Sequence, residues 1–186
     1  MRELSSYLEG SWVSGTGPGR DLHNACTGKV IATASTTGLD LGAAVRHCRT
    51  VGGRSLRALT FGQRGQILKG LAAAIVEHRE VLIDSSLANY GATRRDAKFD
   101  IDGASGTLSY YAYLGKTLGE KRFLRDGEAE NLLRSKRMVG QHLWTTRPGV
   151  AVHINAFNFP CWGLAEKVAV AFLAGVPVVT KPATST

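Results

Sequence analysis

Cysteine is scarce in this sequence, and long apolar runs are missing from it. Its three cysteines, Cys26, Cys48 and Cys161, are odd in number and have no CxxC spacing, which argues against a disulfide framework or a zinc site. No segment approaches the ~18 uninterrupted apolar residues of a membrane-spanning helix. Residues 1–10 lack the apolar core of a secretory signal. We therefore expect a cytoplasmic protein with no metal and no membrane partner.

Runs of like charge are also missing, although the net charge is +8, from 23 Lys and Arg against 15 Asp and Glu. Such an excess favours an anionic partner, either nucleic acid or a phosphorylated or CoA-linked ligand. The basic residues are scattered, however, and no recognition motif accompanies them, so we expect no nucleic-acid partner. The hydrophobic fraction of 44% and the charged fraction of 20% are typical of a globular domain with a buried core.

Residues 1–119 are predicted to be mainly helical, after a few short strands. Asp40 is placed to cap a first helix, and Gly52–Gly53 is expected to interrupt this helix. Thr60 begins the strongest helical pattern, in which one face is apolar and Arg64 lies off that face. Gly91 is placed to end a later helix. The expected elements are strands within 7–15 and 22–36, and helices over 41–48 and 55–59, from 60 onwards, and over 80–90 and 96–115.

Residues 120–147 are polar and predict two strands joined by a turn. Arg125–Gly127 is a turn signal, and polarity alternates weakly along residues 138–144. A hairpin that follows a helical block is often an oligomerisation arm. A surface hairpin packed on its own domain explains the same pattern, and the sequence leaves both interpretations open.

Residues 148–186 predict a strand, a helix and a second strand. The strands span Gly149–Asn155 and 176–181, and the helix spans Cys161–Gly175. Both strands are expected to be buried, and a connection of this kind makes them parallel. Because ligands bind outside the carboxyl ends of parallel strands, Asn155–Asn158 and Lys181–Thr184 are expected to face one crevice.

Two polar side chains at this edge are candidates for chemistry. Asn158 lies in an aromatic turn where Pro160 restricts Phe159 to extended conformations, so its amide is placed to donate to a developing oxyanion. Lys181 ends a strand and is suited to a ribose hydroxyl or a phosphate. On spacing alone, the simpler interpretation is favoured: Asn158 completes a turn, and Lys181 caps a strand in solvent.

The segment Gly149–Thr184, GVAVHINAFNFPCWGLAEKVAVAFLAGVPVVTKPAT, resembles the signature of the aldehyde dehydrogenase family. A strand, an aromatic-Asn-Phe-Pro turn, a helix and a strand ending in Lys-Pro follow one another at the family's spacing. More narrowly, the chain resembles the aldehyde dehydrogenase part of the bifunctional protein of phenylacetate degradation, and the semialdehyde dehydrogenase of the aerobic benzoyl-CoA pathway. The segments that carry this narrower resemblance are 38–40, 56–61, 91–94, 100–103, 109–112, 124–127 and 153–160.

The resemblance implies a role for each residue of the aromatic turn. Asn158 is similar to the family's oxyanion-hole amide, which stabilises the tetrahedral adduct formed from the aldehyde. Asn155, Ala156 and Phe157 are similar to the backbone wall that lies along the nicotinamide-side ribose and phosphate of the cofactor. Asn158 is therefore the expected catalytic residue, and the other three are expected to bind the cofactor.

The resemblance also implies how the second strand binds the cofactor. Lys181 is similar to the family lysine that contacts the adenosine ribose, and Ala183 and Thr184 continue the same segment. Many NAD-specific members carry Glu where this chain has Thr184. A carboxylate repels a 2′-phosphate, whereas Thr carries no charge, so that Lys181 is expected to pair with one. We expect NADP as the cofactor, with NAD as the alternative.

The family's remaining catalytic groups lie outside this sequence. Catalysis needs a Cys thiolate, a Glu base and a Gly-rich turn, all of which follow the Lys-Pro strand. Cys161 follows Pro160 at the start of a packed helix, so a structural role is favoured over a nucleophilic one. We therefore expect a truncated α/β fold. Its expected parts are an N-terminal helical block (1–119), a hairpin similar to an oligomerisation arm (120–147) and the first βαβ of a Rossmann-like cofactor domain (148–186).

These expectations define two hypotheses about function. In the first, the full enzyme is a homo-oligomer that oxidises a small aldehyde to its acid, and this chain alone is inactive. The aldehyde is expected to be a CoA-linked semialdehyde from the degradation of aromatic compounds. In the second, the chain is a catalytically inactive truncated paralogue that serves as a binding or assembly module through the hairpin.

Overall fold

The computed structural model describes residues 2–183, in which short N-terminal strands lead into a helical block, a hairpin and a βαβ unit. The helices are α1 (Leu41–His47), α2 (Gly53–Ala58), α3 (Phe61–Glu77), α4 (Arg79–Asn89), α5 (Arg94–Leu118) and α6 (Pro160–Leu173). The strands are β1 (Arg2–Leu4), β2 (Ser6–Leu8), β3 (Ser11–Val13), β4 (Arg20–His23), β5 (Val30–Ala34), β6 (Leu124–Asn131), β7 (Val139–Trp144), β8 (Ala151–Ile154) and β9 (Val178–Lys181). In the described range no helix is both long and apolar enough to cross a membrane.

The N-terminal strands form two small sheets. One has the order β1-β5-β4, with β1 parallel and β4 antiparallel to β5, and the other is the β2–β3 hairpin. Leu22 and Ala32 are the buried side chains of the larger sheet, in which they pair across β4 and β5. The prediction of short strands in this region is confirmed.

The expected break at Gly52–Gly53 is wrong. A π-helical turn, Cys48–Gly52, joins α1 to α2, and both glycines have right-handed helical backbone angles. A Cβ on Gly53 would make ordinary van der Waals contact with the Pro177 ring, at 3.4 Å. The two glycines therefore do not break the helical path. The cap at the start of α1 is confirmed, because the Asp40 carboxylate accepts the Ala43 N–H at 2.7 Å.

Helix α3 begins at Thr60 as predicted. Its first turn is a capping box, in which the Thr60 hydroxyl accepts the Gln63 N–H and the Gln63 side chain accepts the Thr60 N–H. Leu68 and Ala72 on its apolar face are buried. The next helix, α4, is followed by Gly91 at a φ of 72°, which confirms the predicted helix end.

The assignment of Arg64 to the polar side of α3 is wrong. Its side chain is fully buried at 0% exposure, and its guanidinium lies 4.5 Å from the centre of the Phe61 ring. It donates to the carbonyl oxygens of Leu173 (2.7 Å), Leu59 (3.1 Å) and Thr60 (3.3 Å). The charge is tolerated in the core because these carbonyls, including one at the C-terminal end of α6, accept its N–H groups.

Helix α5 lies at the centre of the core, between α3 and α6. A Cβ at Gly65 would lie 2.8 Å from the Ala112 carbonyl oxygen, and one at Gly115 would lie 2.7 Å from that of Phe61. Two facing glycines therefore bring α3 and α5 into backbone contact. The buried residues of the main core are Phe61, Leu68, Ala72, Ala104, Leu108, Ala112, Ala165, Ala169 and Leu173.

The predicted hairpin is present as β6 paired antiparallel with β7, but its turn is misplaced in the prediction. Arg125–Gly127 lies inside β6, where the register shifts between Asp126 and Glu130. Gly127 has a φ of 70°, so the expected turn signal produces an irregularity within the strand. The chain reverses at 132–138 instead. The reversal and β7 carry exposed apolar side chains: Leu132, Leu133, Met138, Val139, Leu143 and Trp144.

The βαβ unit is confirmed. Strands β8 and β9 are parallel, with Ala151 opposite Val178 and Ile154 opposite Lys181, and α6 connects them. The expectation that both strands are buried is wrong: neither contains a fully buried residue, Val152 and Ile154 of β8 are 58% and 75% exposed, and Thr180 and Lys181 of β9 are exposed. Within residues 2–183, α6 packs against this two-stranded sheet and no helix covers the face that carries Val152 and Ile154.

Candidate functional site

The carboxyl ends of β8 and β9 lie side by side. The Asn155 N–H donates to the Lys181 carbonyl oxygen at 3.1 Å, so the ladder continues one residue past β8. The two polar segments that sequence reasoning singled out, Asn155–Asn158 and the start of Lys181–Thr184, therefore begin at neighbouring positions of one sheet edge. Thr184 itself lies outside the described residues.

Asn155 is locked in place by its side chain as well as its backbone. It is buried, donates to the Thr180 hydroxyl at 2.8 Å and accepts from the Lys167 ammonium at 3.1 Å. Lys167 also donates to the Gly163 carbonyl oxygen at 2.6 Å, one turn earlier in α6. Sequence reasoning missed Lys167, because nothing in the local pattern distinguishes an inward-reaching lysine from a solvated one.

His153 in β8 lies near the same ammonium group. Burial, and then the positive charge of Lys167, lower the pKa of His153 below its usual 6.5. Its Nδ1 is buried and has no hydrogen-bond partner among the residues that the structure describes. At pH 7 His153 is therefore neutral, and Lys167 is the cation that holds Asn155.

The predicted site residues border three concavities. Asn155, Ala156 and Ala183 line a mainly apolar cavity of about 330 Å³. Ala183 also borders, with Lys181, a groove beside the N-terminal strands. Phe157 borders a third concavity, and Asn158 is exposed. Ala183 thus links the Lys181 groove to the cavity of Asn155 and Ala156, and the single shared crevice stays a prediction.

The groove beside Lys181 is suited to an anion. It measures about 440 Å³ and is bordered by Lys181 and Arg20, together with the N-terminal strands. The described residues that line it include two cations and no carboxylate. Its hydroxyl-bearing lining residues are Ser5, Ser6, Ser35, Thr36 and Thr37. Ammonium, guanidinium and hydroxyl groups are the donors that phosphate oxygens accept from.

The bend that carries Asn158 is anchored by a buried carboxylate that sequence reasoning did not identify. Asp100 in α5 is 0% exposed and accepts the backbone N–H groups of Trp162 (2.7 Å) and Cys161 (3.1 Å). Burial raises the pKa of Asp100, while these two hydrogen bonds lower it. No local signal distinguishes it, because Asp96, Lys98 and Asp102 are charged residues of the same stretch of α5.

Cys161 lacks the properties of a nucleophile. Burial, and then the negative charge of Asp100, raise the pKa of its thiol from 9.0 to about 12. The thiolate is the reactive form, so at neutral pH this cysteine is inert. Among residues 2–183, no three His, Cys, Asp or Glu side chains come together in a group that could hold a metal ion.

Alkylation of the folded chain at pH 8 should separate its cysteines. The higher pKa makes the thiolate fraction of Cys161 about a thousandfold smaller than that of a thiol with the ordinary value. We expect iodoacetamide, followed by mass spectrometry, to label the exposed Cys26 while Cys161 remains unmodified. In urea both should react at similar rates. Labelling of Cys161 as fast as Cys26 in the folded chain would contradict the assignment.

Comparison with known proteins identifies the family. The model of the aldehyde dehydrogenase family matches residues 12–186. The chain belongs to the aldehyde dehydrogenase family. This aldehyde dehydrogenase chain is 45% identical over 184 residues to the 3,4-dehydroadipyl-CoA semialdehyde dehydrogenase of Aromatoleum evansii, covering 99% of the chain and 36% of that relative. It is 26% identical over 185 residues to a D-glyceraldehyde dehydrogenase (NADP(+)) of Picrophilus torridus, covering 98% and 36%.

Solved structures show the same fold. The aldehyde dehydrogenase chain superposes with a TM-score of 0.83 on 3,6-anhydro-L-galactose dehydrogenase in complex with NAP, at 20% identity, covering 100% of the chain and 37% of that structure. Aldehyde dehydrogenase 21 from Physcomitrella patens gives 0.83 at 21% identity, with the same coverage. The chain thus spans about a third of the length of its relatives. The resemblance on which the family was predicted, and the α/β class, are confirmed.

Proposed function

We propose that this chain is the N-terminal part of an NAD(P)-dependent aldehyde dehydrogenase that oxidises a CoA-linked semialdehyde, formed during degradation of aromatic compounds, to its acid. The observation that supports the proposal is the parallel pairing of β8 with β9, in which the Asn155 N–H donates to the Lys181 carbonyl oxygen, in a chain of this family. The substrate class is suggested by the relative from Aromatoleum evansii, which is named for a CoA-linked semialdehyde.

In this proposal the carboxyl edge of β8 and β9 holds NADP, as the first part of a Rossmann-like domain. Asn155, Ala156 and Phe157 form the wall for one end of the cofactor, and Lys181, Ala183 and Thr184 bind its adenosine end. The groove of Lys181 and Arg20, with its hydroxyl lining, fits the additional phosphate of NADP better than the bare ribose of NAD. NAD remains the alternative cofactor.

Asn158 is the catalytic residue that this chain supplies. When a thiolate from the rest of the enzyme adds to the aldehyde carbon, the carbonyl oxygen becomes an alkoxide, and the exposed Asn158 amide donates to it. Oxidation of the adduct to a thioester would need the hydride acceptor that a bound nicotinamide cofactor would supply. Water then releases the acid. Lys167 and Thr180 keep Asn155 fixed, so the start of the catalytic bend does not shift during the reaction.

The chain is proposed to contain three parts: cofactor-domain helices at 1–119, an arm at 120–147 and the βαβ unit at 148–186. The exposed apolar side chains of the arm support a role in homo-oligomerisation, since burial of such side chains favours contact with another subunit. The same surface would serve the second candidate function, an inactive assembly module. The two candidates differ in whether the chain contributes to turnover.

The experiment that tests the proposal joins residues 1–186 to the remaining two thirds of the semialdehyde dehydrogenase of Aromatoleum evansii. The resulting chimera is the complete enzyme. We expect it to reduce NADP with a CoA-linked semialdehyde, while residues 1–186 alone give no turnover. The parent relative serves as the positive control. An inactive but folded complete enzyme would favour the assembly module, and turnover by the chain alone would contradict the proposed division of catalytic groups.

A further inference from the structure

Helix α6 begins without a cap of its own. Its N-cap residue is Phe159, whose side chain makes no capping hydrogen bond, and Pro160 occupies the first turn. The first backbone N–H groups of a helix have no partner inside the helix and must be satisfied from elsewhere. Here they are satisfied from α5, because the Asp100 carboxylate accepts from Trp162 through Oδ1 and from Cys161 through Oδ2.

The same face of α5 contacts the first turn of α6 at two further points. The Trp162 indole N–H donates to the Thr107 hydroxyl at 2.9 Å. A Cβ on Gly103 would lie 2.6 Å from the Trp162 ring, so the indole lies directly against the backbone of α5. Residues 100, 103 and 107 are spaced at successive turns of one helix, and together they form a seat for Trp162.

Phe159, which directly follows Asn158, also packs against α5. The Phe99 ring makes edge contacts with Phe159, at 6.4 Å between ring centroids, and with Trp162, at 5.2 Å. Phe159 and Trp162 also contact each other at 6.4 Å. The chain leaving the bend is therefore fixed on both sides of Pro160. Asn158 itself is exposed, so its orientation depends on the anchoring of its neighbours.

We propose that Asp100 is a positioning residue for the Asn158 amide: by capping α6 from α5, it fixes the bend that points this amide at the reacting oxygen. The inference rests on the proposed function for its catalytic consequence, while the positioning itself is a property of this chain. A carboxylate suits the task because it accepts two N–H groups at once and its charge is favourable at a helix N-terminus.

The substitution Asp100→Asn tests the positioning in the 186-residue chain. The amide has one oxygen to accept with, so it leaves one of the two N–H groups without a partner. We expect hydrogen exchange at the Cys161 and Trp162 amides to accelerate about tenfold or more, and the Asn158 side-chain NMR signals to shift. The matched control is Asp102→Asn, on the same helix, where the carboxylate pairs with Arg79 at the surface.

The control should leave the signals of Asn158 and the exchange of Cys161 and Trp162 as in the unaltered chain. Wild-type Asn158 signals in Asp100→Asn, despite faster exchange at Cys161 and Trp162, would overturn the proposal. Asp100 would then cap the helix without positioning the amide. This measurement needs no dehydrogenase activity, so it decides the inference even if the proposed function fails.

A double-mutant cycle in the complete enzyme tests the catalytic consequence. We expect Asp100→Asn to lower kcat about 10- to 100-fold with little change in the KM for NADP, and to lower it less than about twofold when Asn158 is already Ala. A loss of stability alone would give multiplicative effects in the cycle. Equal losses of kcat with Asn158 and with Ala at position 158 would therefore overturn the proposal. An inactive complete enzyme, before any substitution, would count against the proposed function only.

Discussion

Replacing Asn158 by Ala in the complete enzyme is expected to lower kcat by a factor of about 10²–10³, the usual effect of removing one oxyanion-hole donor. The amide acts on charge that exists only after the thiolate has added to the aldehyde. Binding of the cofactor and of the uncharged aldehyde should therefore change little. Because the Asn158 side chain is exposed, its removal should leave stability unchanged.

Steady-state kinetics with saturating NADP, together with direct titration of the cofactor, measures both expectations. Asn131→Ala, at the exposed end of β6, is the matched control and should keep the parental kcat. Because hydride transfer forms the thioester before water releases the acid, the thioester-forming step can be followed as a pre-steady-state burst of NADPH. If Asn158→Ala keeps a kcat within about threefold of that of the unaltered complete enzyme, the oxyanion is stabilised by other groups.

The largest expected loss of stability follows from Arg64→Met, which should lower the free energy of unfolding by about 3–5 kcal/mol. Methionine fills part of the volume but donates nothing to the carbonyl oxygens of Leu59, Thr60 and Leu173. The carbonyl oxygens of Leu59 and Leu173 would then lose these donors, whereas that of Thr60 keeps the backbone N–H of residue 64. Since one of them ends α6, the effect should extend to the packing of α6 against α3.

Urea unfolding followed by circular dichroism measures this loss in the 186-residue chain. Lys69→Met is the matched control, because Lys69 is exposed on the same helix, and it should change stability by no more than about 0.5 kcal/mol. Arg64→Lys should fall between the two, since one ammonium cannot reach all three carbonyls. A loss below about 1 kcal/mol for Arg64→Met would show that water replaces the guanidinium.

Much of the fold was predictable because its signals are local. The caps at Asp40 and Thr60 and the helix end at Gly91 each depend on residues within one turn of one another. The βαβ unit was predictable for the same reason, since two short apolar strands flank one helix and its handedness limits how they pair. These features are set by propensity and period, which a single sequence displays.

The misjudged positions depend on partners far away along the chain. Arg64 is buried because it reaches Leu173, 109 residues later. Asp100 is buried because it accepts the backbone N–H groups of Cys161 and Trp162, which lie 61 and 62 positions later in the chain. Gly53 likewise lies near a distant residue, Pro177. Local patterns treat Arg64 and Asp100 as ordinary charged helix residues. Only the packing of α3, α5 and α6 distinguishes them.

The candidate site was predictable to the level of the sheet edge. Parallel strands bring Asn155 beside Lys181, as expected. The direction that each side chain takes after the strands was not predictable, because it depends on the bend at 156–159 and on how the N-terminal strands border Lys181. The support supplied by Lys167 and Asp100 was missed for the same reason.

The claim that the carboxyl edge of β8 and β9 binds the cofactor is tested most directly by titrating the isotopically labelled 186-residue chain with NADP and recording its amide NMR spectrum. We expect saturable shifts confined to 155–158, to 181–183 and to the groove that includes Arg20, with NAD causing smaller shifts around Lys181. Shifts centred on the hairpin at 120–147, or none at millimolar NADP, would contradict the account.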